Sequence, residues 1–110
     1  MSEFSIESRE HDDVRCEVHA RIPTDLRYFE GHFVGDPIVP GIAQLLALVW
    51  DEAKLAWPDL PAPREIKRLK FLDALRPGDV LTVTMERKPG KLSFEIRKGS
   101  QRRTRGTLIF

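Results

Sequence analysis

The chain has 110 residues, with 18 Lys+Arg, 17 Asp+Glu, three His and one Cys. That length leads us to expect a single domain over 1–110, and the 41% apolar share supports a modest core. No apolar run is long enough for a transmembrane helix, Met1–Phe4 lacks the basic and apolar segments of a secretory signal, and Cys16 alone excludes an internal disulfide or a Cys-based zinc site. A cytoplasmic protein without membrane contact is therefore expected. The charge is asymmetric. Residues 1–60 carry 5 basic and 12 acidic side chains, a net of −7, whereas residues 61–110 carry 13 and 5, a net of +8.

In chain order, Phe4 and Ile6 suggest a short first strand, with Glu10-His11-Asp12-Asp13 as its turn. Val14, Cys16, Val18, Ala20 and Ile22 then alternate with polar residues, the period of a half-buried strand closed by Pro23. Residues 24–40 form a long loop rich in Gly, Pro and aromatic residues, of the kind usually kept for function. Ile42 to Trp57 is the one convincing helix, opened by Pro40 or Gly41 and ended at Trp57-Pro58. Its first turns are apolar on nearly every face, which predicts a buried helix. Residues 58–63 read as a stiff linker within the domain. Strands are predicted at Ile66–Leu72, Val80–Arg87, Leu92–Arg97 and Arg103–Phe110, the last three as an antiparallel meander. Turns fall at Arg76-Pro77-Gly78-Asp79, Lys88-Pro89-Gly90 and Gly99-Ser100. One buried helix followed by a meander predicts an α+β fold, a curved antiparallel sheet wrapped around one long central helix.

The chemistry concentrates in Gly31-His32-Phe33-Val34-Gly35-Asp36-Pro37-Ile38-Val39-Pro40-Gly41. Its glycines and prolines constrain the backbone and permit close approach to a ligand. His32 is thereby placed just ahead of a helix N-terminus, whose unpaired N–H groups suit a developing oxyanion. A histidine in that setting is a candidate acid or base next to a carbonyl.

This segment resembles the signature of the hot-dog-fold 3-hydroxyacyl-acyl-carrier-protein dehydratases, Gly-His-Phe-x-Gly-x-Pro-x-x-Pro-Gly, with all seven fixed positions present. Lys70-Phe71 and Arg76-Pro77-Gly78-Asp79 resemble the family's later strand and turn. Pro40-Gly41-Ile42-Ala43-Gln44-Leu45 is similar to the thioester-dehydrase-like members of aryl polyene and pigment clusters. The resemblance implies a homodimer of hot-dog subunits with active sites at the dimer interface; a heterodimer with another hot-dog protein is the alternative pairing. It implies His32 as the base that removes the α-proton of a 3-hydroxyacyl thioester, and the Gly41 N–H as donor to the thioester carbonyl. The substrate is then an acyl carrier protein or CoA thioester, carried on phosphopantetheine, with no bound cofactor. Phe33, Pro40, Gln44 and Leu46 become candidate substrate contacts.

One position departs from that pattern. The helical acid of the family falls at Leu46, which can neither hydrogen-bond nor transfer a proton. At about 100° per helical residue, neither Asp51 nor Glu52 shares the Leu46 face; the acid must then come from Asp36, Glu30, water or a different partner subunit. Thioester hydrolysis on the same pocket, or a non-catalytic subunit that completes a heterodimer, are the alternative functions. Leu46 taken alone reads as core, Cys16 as a small core residue, and Gln44 as bonded to a nearby backbone group. No His pair has metal-ligand spacing, so no metal is expected. The basic clusters Lys67-Arg68-Lys70, Arg97-Lys98 and Arg102-Arg103-Arg105 read as solvated sheet edge. Their aromatic-free pattern argues against nucleic acid, and an acidic carrier protein is the better partner.

Overall fold

The computed structural model describes residues 4–24, Gly41 and 44–110. Six strands form one antiparallel sheet: β1 (Ser5–His11), β2 (Arg15–Arg21), β3 (Glu65–Phe71), β4 (Val80–Lys88), β5 (Lys91–Lys98) and β6 (Gln101–Ile109). Their order is β1-β2-β4-β5-β6-β3. The β4-β5-β6 meander follows the sequence expectation, and β3 crosses over to pair with β6 at the far edge. Among the described residues, a single continuous helix, α1, lies between β2 and β3 in the chain. It is wound as a π-helix over Gln44–Trp50 and as an α-helix over Asp51–Ala56.

Alternation along the strands builds the core. Cys16, Val18 and Ala20 of β2, Leu81, Val83 and Met85 of β4, and Leu92, Phe94 and Ile96 of β5 are all buried on the face that meets α1. Ala47, Leu48, Val49 and Ala53 of the helix close against them. Each fully buried Val, Leu or Ile contributes about 1.5–3 kcal/mol, so this shared layer dominates the folding energy. Trp57 follows the last helical turn, its N–H bonded to Ala53 O at 2.8 Å, and Pro58 prevents continuation. The Trp57 indole N–H donates to Asp12 O at 2.9 Å, tying the helix end to the β1–β2 turn.

Several expectations change in the structure. The first strand runs on to His11, so its turn starts at Asp12 rather than Glu10; Asp12 Oδ1 accepts from the N–H groups of Val14 and Arg15 at 2.8 and 2.7 Å. Val14 falls in that turn and is half exposed instead of joining the buried face. The helix is not buried all round, because Leu46 and Leu55 are 52% and 59% exposed. A single sheet covers only one side of a helix. The 58–63 segment does pack, with Leu60 buried and its carbonyl accepting from Lys54 Nζ at 2.7 Å. Finally, β6 is an interior strand between β5 and β3, so Arg102, Arg103 and Arg105 do not stand at a sheet edge.

The predicted turn before β4 forms, with Asp79 N donating to Arg76 O at 3.1 Å and Gly78 at φ 84°. That is the positive φ a Pro-Gly turn requires at its third residue. Asp79 then fastens the turn, accepting from Arg76 N at 2.9 Å and from Lys98 Nζ at 2.9 Å.

On β6, a Cβ at Gly106 would lie 2.7 Å from Phe94 Cζ. Phe94 is only 3% exposed and has no room to move aside. Gly106→Ala is expected to cost about 1–3 kcal/mol through overpacking, read as a lowered urea midpoint at unchanged m-value.

Candidate active-site region

Three of the candidate catalytic and substrate-binding residues fall among those described, Gly41, Gln44 and Leu46, within six positions of one another. Gly41 stands against β3. A Cβ there would lie 2.6 Å from Phe71 Cζ and 3.0–3.1 Å from the neighbouring ring carbons. The Phe71 ring therefore covers the Gly41 Cα, and this close approach is open only to glycine. Phe71 is 48% exposed, so a larger residue at 41 would push the ring outward at small cost to the fold while disturbing the site itself. His32, Phe33, Asp36, Glu30 and Pro40 lie outside the described residues.

Gln44, three residues on, is 3% exposed. Its Oε1 accepts from the hydroxyl of Thr104 on β6 at 2.6 Å. The partner of this oxygen is thus a side chain of a distant strand. Thr104 is fully buried, and a buried hydroxyl without an acceptor would cost about 1–3 kcal/mol. The pair consequently holds the first helical turn in register with β6. Leu46 points the other way. Its exposure corrects the core reading and leaves an apolar side chain where the family signature calls for an acid.

The two helical carboxylates are not alternatives at that spot. Asp51 is exposed. Glu52 is 2% exposed and held by Arg9 of β1 in a two-pronged ion pair, Nε–Oε1 2.7 Å and Nη2–Oε2 3.1 Å. Hydrogen bonding to Glu52 raises the Arg9 guanidinium above its ordinary value. Such a fork satisfies the buried carboxylate geometrically, and commits it to the edge of the sheet. Nearby, burial, reinforced by the Glu52 charge, pushes the Cys16 thiol up to about 11. Thiolate chemistry at neutral pH is thereby suppressed, in keeping with the core role expected for Cys16.

The basic clusters sort differently from their sequence appearance. Arg97 and Arg102 share Glu95, at 2.7 and 3.0 Å. Arg103 is 9% exposed and held by Ala74 O at 3.0 Å, Gln101 Oε1 at 2.8 Å and Asp73 Oδ2 at 3.1 Å. It is a structural tie between β6 and the segment after β3. Among the described residues, no helix is long and apolar enough to cross a membrane.

This architecture, one antiparallel sheet wrapped on one helix, is the hot-dog fold. The dehydratase heterocomplex ApeI:P from Xenorhabdus doucetiae superposes with a TM-score of 0.88 at 23% identity, over 97% of this chain and 96% of that one. The Escherichia coli PaaI protein from the phenylacetic acid degradation operon gives 0.64 at 18% identity, over 97% and 82%. The ApeI-like family, described as ApeI dehydratase, matches residues 7–107, and the chain belongs to it. Among curated relatives, the 3-hydroxyacyl-[acyl-carrier-protein] dehydratase FabZ of Chlamydia trachomatis is 35% identical over 96 residues, 76% of this chain. The FabZ of Dinoroseobacter shibae is 33% identical over 79 residues, 64% of this chain. This chain spans 63% of the first relative's length and 48% of the second's.

Sequence reasoning missed two contributors, Thr104 and the ring of Phe71 over Gly41. Neither carries a local signal, because each acts through a pairing across more than 25 residues. An isolated Thr in a basic strand was the one available hint. The Arg9–Glu52 fork was equally invisible. Since Glu52 is nearly dry, Arg9→Ala strands its carboxylate. We expect a loss of about 2–3 kcal/mol, below the range for fully buried pairs because Arg9 itself is half in water. Chemical denaturation of the single and double variants, with Glu52→Gln as the second change, measures it; the double variant should recover part of the loss.

Proposed function

We propose that this chain is a subunit of a dehydratase that removes water from 3-hydroxyacyl groups carried as thioesters on the phosphopantetheine of an acyl carrier protein. The single observation that carries the reading is Gly41. It is helical, lies under the Phe71 ring and closes a complete seven-position motif, in a chain of the ApeI-like family. A backbone N–H at a helix start is a preorganised donor for a thioester oxygen that gains charge as the α-proton leaves. His32 takes that proton. The electrons of the broken C–H bond form the new carbon–carbon double bond as the bond to the 3-hydroxyl breaks. The hydroxyl departs as water once an acid has protonated it.

Leu46 cannot be that acid. We assign the acid to a second hot-dog subunit, with Asp36 and Glu30 as the in-chain alternatives. The exposed Leu46 and Leu55 side chains and the edge strand β3 support the pairing, and the ApeI:P structure is itself named a heterocomplex. In this reading Phe33, Pro40 and Leu46 line the acyl channel, no bound cofactor is needed, and the reaction belongs in the cytoplasm. A CoA thioester can substitute for the carrier.

Incubation with 3-hydroxyacyl-carrier substrates, alone and with a hot-dog partner, followed by mass analysis tests this. Loss of water with the partner present, reduced about 10²–10⁴-fold in His32→Ala, is the expected result. Release of free acid would instead establish a thioesterase, and no turnover in any pairing a non-catalytic subunit. Leu46→Glu should raise dehydration by the chain alone; a folded, substrate-binding variant without gain removes the missing acid as the limitation.

A further inference from the structure

The helix covers one face of the sheet; the opposite face carries a second feature that the dehydratase reading does not use. A concavity of about 310 Å³ is lined by Lys67, Arg68, Lys88, Lys91, Ser93, Thr107 and Ile109. The register explains how these residues meet. Lys67 stands opposite Thr107, Thr107 opposite Ser93, and Lys88 opposite Lys91. Because strand side chains alternate, burial of Leu92, Phe94 and Leu108 on the helix side puts Lys91, Ser93 and Thr107 on the other.

Two observations separate this cluster from an ordinary solvated face. The first is how little countercharge four neighbouring cations meet. Most strand cations elsewhere are matched, Arg9 with Glu52, Arg87 with Asp59, Arg97 and Arg102 with Glu95, Lys98 with Asp79 and Arg103 with Asp73, while Arg15, Lys70 and Arg105 stand singly without an ion pair among the described residues. Within the concavity, Lys88 alone has a carboxylate, Glu86 at 3.4 Å. Lys67, Arg68 and Lys91 make no ion pair with any described residue. The second is backbone strain. Arg68 adopts φ 56°, the one positive value at a non-glycine among the described residues, in the bulge that interrupts pairing between Lys67 and Lys70. A long β-strand residue held in the left-handed region is costly, and such strain collects where a side chain is aimed for use. The bulge is what lets consecutive Lys67 and Arg68 both line one hollow, against the usual alternation.

We propose that this concavity binds a phosphate group, with Lys67, Arg68, Lys88 and Lys91 supplying charge and the Ser93 and Thr107 hydroxyls supplying neutral donors. Guanidinium and ammonium groups around hydroxyl donors suit the oxygens of a tetrahedral anion. The phosphate can come from a free ion or from a phosphorylated nucleotide; the chemistry of recognition is shared. The site is separated from Gly41 by the thickness of the sheet, so it stands whether or not the chain is a dehydratase.

The test is calorimetric titration of the intact protein with inorganic phosphate, with adenosine 3′,5′-bisphosphate and with adenosine, at low and high salt. Both phosphates should bind with salt-sensitive affinity and adenosine should not. Tighter binding of the bisphosphate identifies a nucleotide as the source, and equal binding identifies free phosphate. Lys67→Gln/Lys91→Gln, both exposed and so compatible with folding, should weaken binding at least tenfold. Arg68→Gly should weaken binding while raising the melting temperature, because it releases the strained backbone. Undiminished affinity in these variants, or no binding of either phosphate at millimolar concentration, overturns the proposal.

Discussion

The structure depends on how one helix is held across six strands. Between the outer strands the sheet spans roughly 24 Å at a spacing of about 4.8 Å. From Gln44 to Trp57 the helix runs roughly 20 Å at about 1.5 Å per residue. It crosses nearly the whole sheet, meeting β6 and β3 at its start and β1 at its end. Apolar burial holds it there but is not directional, and Leu, Val and Ala would tolerate small slides. Position is set by polar ties at the two ends: Gln44 to Thr104 at one, and Glu52 to Arg9 with Trp57 to Asp12 at the other. Each is a buried or half-buried contact that fails in a shifted register.

These ties bear directly on the chemistry. An oxyanion donor is useful only if its N–H is already in place when charge develops. Gln44 is tied to β6 and Gly41 lies under the Phe71 ring of β3, so in the proposed reading the donor at Gly41 rests on sheet geometry. The same arrangement explains why Glu52 does not rescue the missing acid. Its carboxylate is consumed by the tie to β1, on the buried side of the helix, whereas Leu46 faces outward. In the proposed reading, a helix start without an acid at Leu46 is a coherent state for a subunit that shares its site with another.

Charge follows the same division of labour. The −7/+8 split between halves suggests one basic surface, yet the fold dismantles most of it. Arg97, Arg102, Arg103 and Lys98 are spent on neighbouring carboxylates, and Arg103 on a carbonyl as well. Uncompensated charge survives on Lys67 and Arg68 of the β3 bulge and on Lys91 of β5, across β6 from each other, and singly on Lys70 and Arg105. A run of arginines in sequence is therefore a poor guide to where an anion is met; pairing across strands decides it.

The sequence by itself determined the class of fold and singled out the segment on which the proposed chemistry rests. Alternation marked β2, β4 and β5, the Pro-Gly turn before β4 was readable from its residues, and the Gly-His-Phe to Pro-Gly motif pointed to the helix start. These are local patterns, set by side-chain period and by backbone dihedrals within a few residues. What only the tertiary structure decided is every feature that needs two distant segments. The crossover of β3 to the far edge, the exposure of Leu46, the buried Thr104 under Gln44, the Phe71 ring over Gly41 and the withdrawal of Glu52 to Arg9 all belong here. An apolar helix looks buried on every side until a single sheet leaves one flank open, and a carboxylate looks available until a cation on another strand has claimed it.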